Sequence, residues 1–140
     1  MTDRYFLDTN VFVYELDRTN TRKQKLATEL VERTLALRGG IVSYQVVQEF
    51  LSVALRKFPN TLSAADARTY MDTVLMPICE IFPDSALFSD AISIAEQTGW
   101  RFYDSLIVAS AARAKCKVLF SEDLQVGRKI RGVEIRNPFA

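Results

Sequence analysis

Apolar residues along the chain form short runs and longer helical patterns that alternate from one end to the other. The short runs predict buried strands, at residues 4–8, 41–42, 78–82, 117–120 and 133–136. Apolar residues spaced three and four apart predict helices, at residues 20–38, 43 to about 57, 63 to before Pro77, 84 to about 98, and 103–115. A further turn or helix start is expected at Thr9 and Asn10, directly after the first strand.

Local sequence signals support the ends of these elements. Gly39-Gly40 is expected to end the helix before it, because glycine closes a helix without backbone strain. Ser43 can cap the next helix. The run Phe58-Pro59-Asn60 breaks the chain, and Ser63-Ala64-Ala65-Asp66 has the form of a capping box. Residues 103–115 are apolar over most of the helix surface, so this helix is expected to be largely buried.

Short buried strands separated by helices predict a parallel sheet with helices on both faces. The expected fold is therefore α/β, a three-layer α/β/α sandwich with a central, mainly parallel sheet. No linker, repeat or low-complexity segment interrupts the pattern, and a chain of 140 residues favours a single domain over residues 1–140. Ligands bind at the carboxyl ends of the strands in open sheets of this kind. Asp8 is expected at one such end, and Asp123 just past another.

Composition narrows the chemistry open to this fold. Hydrophobic residues make up 49% of the chain, enough for a packed core, and the net charge of +1 gives no bulk signal for nucleic acid. There is no histidine, which removes the usual general base and the commonest zinc ligand. Cys79 and Cys116 form no zinc-type pattern and are expected to be buried thiols. No signal sequence or membrane-length apolar run is found, so a cytoplasmic protein with no membrane association is expected.

Four acidic residues lie within or beside separate apolar elements: Asp8, Glu49, Asp104 and Asp123. Each has a local explanation when taken alone. Asp8 and Asp104 can cap or begin helices, and Asp123 can share a solvated turn with Glu122. Periodicity places Glu49 with Gln45 on a helix face that is predicted to be solvated.

The combination of the four acids indicates a metal site for phosphate chemistry. Four carboxylates at one edge of a sheet repel one another unless divalent cations neutralise them. Mg²⁺ and Mn²⁺ prefer carboxylate oxygens and water as ligands. A divalent cation also lowers the pKa of the water it binds, which supplies the nucleophile that a chain without histidine lacks.

Four segments resemble, in order, the signatures of PIN-domain nucleases. They are Phe-Leu-Asp-Thr-Asn-Val-Phe at residues 6–12, Gln-Glu-Phe at 48–50, Tyr-Asp-Ser-Leu-Ile-Val-Ala at 103–109, and Leu-Phe-Ser-Glu-Asp at 119–123. Each segment alone is weak, but their order and spacing fit across essentially the whole chain. The resemblance implies a sandwich around a parallel sheet, and cleavage of RNA that depends on Mg²⁺ or Mn²⁺. The chain looks most similar to the VapC-type toxins of bacterial toxin–antitoxin pairs.

The resemblance implies that the four acids form one catalytic quartet. It implies Asp8 and Asp104 as direct ligands of Mg²⁺ or Mn²⁺. It implies Asp123 as a further ligand, or as the residue that orients a metal-bound water. Glu49 is expected to act through water or at a second ion. The resemblance thereby raises Glu49 above the solvated-face interpretation that periodicity favours.

Several further residues are expected to support the quartet. Asn10 and Ser121 match positions where the family often has a small polar residue that orients the acids or their water, although many members have Thr at the position of Ser121. Glu122 is either a further metal-site acid or a turn residue. Arg101 and Arg128 are candidates for holding flanking phosphates, against the alternative of ordinary solvated charges.

The resemblance also implies an RNA substrate, a cognate antitoxin protein and a homodimer. The exposed parts of the helices at 20–38 and 43–57 are expected to form a groove for an amphipathic antitoxin segment, and a cationic side chain of that segment fits the acid-rich cleft. Transfer, ribosomal and messenger RNA all stay open as substrates.

Four other interpretations were weighed. Two stay open: a PIN-fold nuclease that acts in RNA processing outside a toxin–antitoxin pair, and a catalytically silent interaction module. An aspartyl phosphatase usually has a second Asp two positions after the first, where this chain has Asn10. A dinucleotide-binding domain needs glycines after its first strand, and this chain has none there.

Overall fold

A computed structural model of the chain describes residues 3–56 and 62–140. In these residues, six strands form one sheet: β1 (Tyr5–Leu7), β2 (Gly40–Ser43), β3 (Cys79–Ile81), β4 (Val118–Phe120), β5 (Lys129–Ile130) and β6 (Val133–Arg136). The α-helices between them are α1 (Thr9–Leu16), α2 (Thr21–Leu37), α3 (Tyr44–Ala54), α4 (Ala64–Tyr70), α5 (Ser85–Thr98) and α6 (Phe102–Arg113). After α4 the chain continues through a π-helical turn, Met71–Leu75, and a 3-10 turn, Met76–Ile78.

The order of strands in the sheet is β3-β2-β1-β4-β6-β5. The described strand pairs are parallel, apart from β5 with β6. Chain order therefore reverses at β1, with β2 and β3 on one side and β4 on the other. Right-handed crossovers place the helices of the two halves on opposite faces of the sheet, which gives the predicted three-layer sandwich. The gap between the ends of β1 and β4 is a topological switch point, where such sheets bind ligands.

The core lies on both faces of the central strands. Phe6 and Leu7 of β1 are fully buried, and every residue of α6 from 105 to 111 is buried. The prediction of a largely buried helix at 103–115 is therefore confirmed. This rigid arrangement fixes the ends of β1 and β4 and the start of α6, which carry three of the four predicted acids.

The predicted strands and helices are confirmed in type, with shifted ends. The helix expected to end before Pro77 is α-helical only to Tyr70, and helical turns continue through Pro77, because proline fits the first turn of a 3-10 segment. The short strand β5 was not predicted. The end of α3 is at Ala54, and the predicted break at Phe58-Pro59-Asn60 and the expected helix end near Lys57 lie outside the described residues.

The end of α2 differs from its prediction for a clear physical reason. Arg38, and not Gly39-Gly40, takes the left-handed conformation that closes the helix, with φ of 58°. Gly40 is required for space: a Cβ there would lie 2.6 Å from Thr34 Cγ2 and 2.6 Å from the Tyr5 ring. The absence of a side chain lets α2 approach β1 and β2 closely.

Both cysteines are free thiols, as predicted. Cys116 is buried and Cys79 is half-buried, and burial raises the pKa of Cys116 to about 12. None of the helices in residues 3–56 and 62–140 is long and apolar enough to cross a membrane.

Candidate active site

Asp8 follows β1 directly and lies at the switch point of the sheet. Its backbone N–H donates to the Phe120 carbonyl at 3.0 Å, which ties the end of β1 to β4. Its Oδ1 accepts a hydrogen bond from the Thr9 N–H at 2.7 Å, so the side chain caps α1 as the local sequence predicted. Its Oδ2 accepts a hydrogen bond from the Ser121 hydroxyl at 2.7 Å. One carboxylate thus joins β1, α1 and the loop after β4.

The electrostatic setting of Asp8 disfavours its charge. The residue is 8% exposed, and burial raises the pKa of Asp8 from its ordinary value to about 6. Hydrogen bonds from Ser121 and Thr9 lower the pKa, while the negative charges of Glu49 and Asp123 raise it. A buried carboxylate beside two other acids favours a cation as a partner.

Ser121 is a fully buried hydroxyl that organises the loop after β4. Its Oγ accepts hydrogen bonds from the backbone N–H groups of Asp123, at 3.2 Å, and Leu124, at 3.4 Å. Because Ser121 accepts from these two donors, its own proton is directed to Asp8. The predicted supporting position is thus in contact with Asp8 and with the backbone of Asp123.

Asn10 lies in the first turn of α1 and faces the same loop. Its Nδ2 donates to Asp123 Oδ2 at 3.2 Å. Its Oδ1 is buried and finds no hydrogen-bond partner among the described residues. A buried amide oxygen normally has a partner, so this atom can accept a hydrogen bond from water or bind a hard cation.

Glu49 comes from the middle of α3. Its Oε1 accepts hydrogen bonds from the Thr9 hydroxyl at 3.1 Å and from Gln45 Nε2 at 3.3 Å. Partial burial raises the pKa of Glu49, and the negative charges of Asp104 and Asp123 raise it further. Glu49 is exposed to solvent, so the prediction of a solvated helix face holds at this residue.

Gln45 was predicted on the same solvated face, and that prediction is wrong. The residue is only 8% exposed. Its Nε2 donates both to Glu49 and to the Tyr103 backbone carbonyl, at 3.1 Å. The start of α6 packs over this part of α3, and helical periodicity within α3 carries no information about that contact.

Asp104 lies in the first turn of α6, as the local sequence predicted, and is half-buried. Asp123 lies in the loop after β4 and is exposed. Each of these acids influences the ionisation of Glu49, and Glu49 and Asp123 influence Asp8. Hydrogen bonds of Thr9, Asn10, Gln45 and Ser121 bring the elements that carry the four predicted acids together beside the carboxyl ends of β1 and β4.

Glu122 has partners of its own. It forms an ion pair with Lys23 of α2 and accepts a hydrogen bond from the Tyr14 hydroxyl at 2.6 Å. Burial raises the pKa of Glu122, but the bonds from Lys23 and Tyr14 outweigh it and leave the pKa below its usual value. These three side chains, here called the Glu122 network, tie the loop that carries Asp123 to α1 and α2. Sequence reasoning found neither Tyr14 nor Lys23, because nothing local links them to residue 122.

The two candidate phosphate-binding arginines are both exposed. Arg101 occupies the N-cap position of α6, three residues before Asp104. Arg128 donates to Gln125 Oε1 at 2.9 Å, and its guanidinium lies 5.4 Å from the centre of the Trp100 ring. Their role in holding phosphate stays a prediction.

The donor set fits a divalent cation of the magnesium class. It consists of carboxylate oxygens and the unpartnered amide oxygen of Asn10, and these are the ligands that such hard ions prefer. In residues 3–56 and 62–140, no three acidic or thiol groups are arranged to hold one ion by themselves. Mg²⁺ commonly takes one or two carboxylates and keeps several waters, which is compatible with this spacing.

Known structures with this fold include several bacterial proteins. The chain is similar to a toxin–antitoxin complex from Klebsiella pneumoniae, with a TM-score of 0.62 and 14% identity over 92% of this chain and 94% of that chain. It is similar to VapBC2 from Rickettsia felis bound to a promoter DNA fragment, with a TM-score of 0.63 and 17% identity over 95% and 97% of the two chains.

A third similar structure is Mycobacterium tuberculosis VapC20, described as a sarcin-ricin loop cleaving toxin. Its TM-score is 0.62, with 17% identity over 85% of this chain and 91% of that chain. At these identities the likeness shows a shared fold. Comparison with curated protein sequences found no match.

The family comparison covers most of the chain. The PIN domain matches residues 5–130, which include all four acids and the elements that carry them. The fold, the order of the four segments and this match agree, and the chain belongs to the PIN domain family.

Proposed function

We propose that this protein is a metal-dependent endoribonuclease and the toxin of a toxin–antitoxin pair. The observation that carries the proposal is the convergence of Asp8, Glu49, Asp104 and Asp123 at one switch point, where their charges act on one another. Such a cluster weakens the apo fold, so it is best understood as a site for cations. The family match and the likeness to toxin structures support the nuclease assignment.

Asp8 and Asp104 are the proposed direct ligands of Mg²⁺ or Mn²⁺. Asp123 is proposed to orient a metal-bound water, because in residues 3–56 and 62–140 no three acids are arranged around one ion. The bound ion supplies Lewis-acid polarisation of the scissile phosphate and a lowered pKa for water. Ser121 fixes the orientation of Asp8 through its donated proton. Asn10 holds Asp123 through its amide nitrogen.

Glu49 is proposed to act through a metal-bound water or at a second ion. Its carboxylate is exposed to solvent on one side, while partial burial raises its pKa. Thr9 and Gln45 hold this carboxylate from two directions. In this proposal Glu122 is a positioning residue that holds the loop of Asp123, and not a ligand.

The test is cleavage of RNA by the purified chain. We expect cleavage with Mg²⁺ or Mn²⁺, loss of cleavage in EDTA, and recovery when the ion is added back. Asp104→Asn should lower the rate of cleavage by roughly a hundredfold or more, which is the size of effect expected when a group of a metal site is removed. Asp72→Asn, which changes an exposed acid in the π-helical turn, is the matched control and should cleave normally.

Two outcomes separate the alternatives. Equal cleavage by the wild type and Asp104→Asn, or full activity in EDTA, would remove the proposed mechanism. No cleavage of any RNA with Mn²⁺ present would favour the silent interaction module. A parallel assay on a small phosphomonoester distinguishes a phosphatase.

We also propose a partner, an antitoxin protein that binds this chain in the cytoplasm before the chain cleaves RNA. The sequence predicts that the exposed parts of the helices at 20–38 and 43–57 form its groove. We propose instead the apolar groove of about 170 Å³ between α3 and α4, which is lined by Leu51, Leu55, Ala67 and Met71. An amphipathic helix fits such a groove through its apolar face. A homodimer is proposed from the family resemblance.

A further inference from the structure

A second cavity adjoins the acid cluster. It has a volume of about 240 Å³ and lies where the starts of α3, α5 and α6 meet the end of β3. Its lining includes Tyr44 and Gln45 from α3, Phe88 from α5, and Phe102 and Tyr103 from α6. Gln45 and Tyr103 also border the depression that contains Glu49. The cavity therefore borders the depression that contains Glu49.

Two buried polar atoms in this lining have no partner among the described residues: Ser43 Oγ and Gln45 Oε1. Ser43 is 2% exposed and Gln45 is 8% exposed. Ser43 occupies the N-cap position of α3, yet its hydroxyl makes no capping hydrogen bond. Because buried polar groups normally find partners, both atoms indicate a ligand that supplies them.

The orientation of the Gln45 amide is fixed by its neighbours. Its nitrogen faces two acceptors, Glu49 Oε1 and the Tyr103 carbonyl oxygen. A flipped amide would place an oxygen against both acceptors, which is unfavourable. The unpartnered atom is therefore the oxygen, and it requires an N–H or O–H donor from the ligand.

The mouth of the cavity is aromatic. Tyr103 is 66% exposed, and its ring lies 5.5 Å from that of Phe102, which is 6.0 Å from that of Phe88. Tyr44 is 40% exposed and packs against Phe82, with ring centres 5.8 Å apart. Unstacked bases of single-stranded RNA bind such places, because rings stack on their faces and polar groups bond their edges.

We propose that this cavity binds one unpaired nucleobase of single-stranded RNA beside the bond that the acid cluster cleaves. The inference rests on the proposed function and names what selects the cleavage site. Gln45 Oε1 accepts a hydrogen bond from an N–H on the base edge, and the Ser43 hydroxyl bonds the neighbouring edge atom. The cavity volume of about 240 Å³ lies just below the range of pockets that bind drug-sized ligands, and this size suits a single base. Gln45 couples base binding to catalysis, because the same amide holds Glu49.

Ser43→Ala gives the sharpest test, because the hydroxyl has no structural partner to lose. The wild type is expected to cut a randomised single-stranded RNA pool with one nucleotide enriched beside the cut. Ser43→Ala should reduce that enrichment by roughly three- to tenfold, the effect of one hydrogen bond, while the melting temperature stays level or rises. Ser93→Ala, which removes a hydroxyl that bonds within α5, is the matched control and should keep the enrichment.

Binding of free nucleosides gives a readout that needs no catalysis. Adenosine, guanosine, cytidine and uridine are titrated separately into the protein in EDTA and followed by backbone amide NMR. We expect one of the four nucleosides to shift the amide signals of Ser43, Gln45 and Tyr103 at a lower concentration than the other three. Tyr103→Ala should weaken this binding about tenfold or more, as loss of a base–aromatic stack does, while Ile92→Ala, an exposed apolar change on α5, should not.

The outcomes distinguish this inference from the proposed function. RNA cleavage with the same enrichment in the wild type, Ser43→Ala and Tyr103→Ala would overturn the base cavity and leave the nuclease intact. Nucleoside binding at Ser43 without any RNA cleavage would support the cavity and reject the nuclease. If nucleosides shift no signals and Phe88→Asp converts a dimer into a monomer, a second copy of the chain covers the cavity and the inference fails.

Discussion

At the scale of single residues, Asp8 is where folding and function oppose each other. The ordinary carboxyl pKa is 3.8, and in the folded chain burial raises it to about 6. Between these values the folded state holds a proton that the unfolded state has released. The free energy of unfolding therefore falls as pH rises through this range. The loss of stability caused by the buried charge of Asp8 is complete above about pH 6.

Asp8→Asn removes this charge and keeps the shape of the side chain. In metal-free buffer at pH 7, the variant is expected to be more stable than the wild type by up to about 3 kcal/mol, the equivalent of this pKa displacement. The difference should disappear at about pH 2.5, well below the ordinary carboxyl pKa of 3.8, where Asp8 is protonated in both states. Urea unfolding at a series of pH values measures the effect, and RNA cleavage by the variant should fall by roughly a hundredfold or more. Lower stability at pH 7 with near-normal cleavage would show that Asp8 is only a helix cap.

The residues that sequence reasoning found are those whose signal is local. Asp8 and Asp104 stand beside apolar elements, and the spacing of all four acids matched a family pattern. Gln45 was placed on the wrong surface, since its burial depends on α6, which lies far away in the sequence. Tyr14 and Lys23 were missed because their only link to the site is the contact with Glu122, formed when α1 and α2 pack beside the loop after β4.

At the scale of elements, the Glu122 network decides how firmly the loop after β4 is held. Glu122→Gln removes the ion pair with Lys23 and keeps an acceptor for Tyr14. Since the pair is about one-fifth exposed, we expect a loss of about 1 kcal/mol in the free energy of unfolding. Cleavage should fall only several-fold, through a less ordered Asp123.

Companion variants show whether Glu122 acts through this network or as a ligand. Tyr14→Phe and Lys23→Met should reproduce the effects of Glu122→Gln on both stability and cleavage, measured by urea unfolding and single-turnover kinetics. Glu122 would instead be a metal ligand if Glu122→Gln lost cleavage as severely as Asp123→Asn while Tyr14→Phe cleaved RNA normally.

Elements with strong periodicity or clear caps were predicted well. The predicted helix cap at Ser63 is formed, with the Ser63 hydroxyl accepting from the Asp66 N–H at 3.0 Å. The parallel sheet followed from short apolar runs between helices. The two-residue strand β5 was missed because it is too short to show a pattern, and it forms through pairing with β6. The π-helical turn after α4 was missed because its sequence resembles that of an ordinary helix.

At the scale of the whole molecule, the groove between α3 and α4 is the proposed contact with the antitoxin. We expect the neighbouring reading frame, when co-expressed, to form a stable complex and to suppress toxicity and RNA cleavage. Leu55→Asp places a charge in this groove at a position that is 45% exposed, so folding is retained while the complex is lost. Co-purification and growth assays measure both effects.

Leu37→Asp is the matched control, at a position 67% exposed at the end of α2. It should leave the complex intact. If Leu37→Asp breaks the complex and Leu55→Asp does not, the antitoxin binds on α2, as the sequence had first indicated.

The order of the strands in the sheet has a consequence for the way the protein is made. β1 is synthesised first, but its neighbour β4 is complete only at Phe120, and β4 in turn pairs with β6, which ends at Arg136. Three of the acids have been translated by residue 104, and the loop with Ser121 and Asp123 is translated after them. A nascent chain shorter than 123 residues, which grows at about 5–20 residues per second, therefore has no complete cluster of acids. Under the proposed function, RNA cleavage therefore cannot begin until the loop after β4 has been made and has paired with the end of β1.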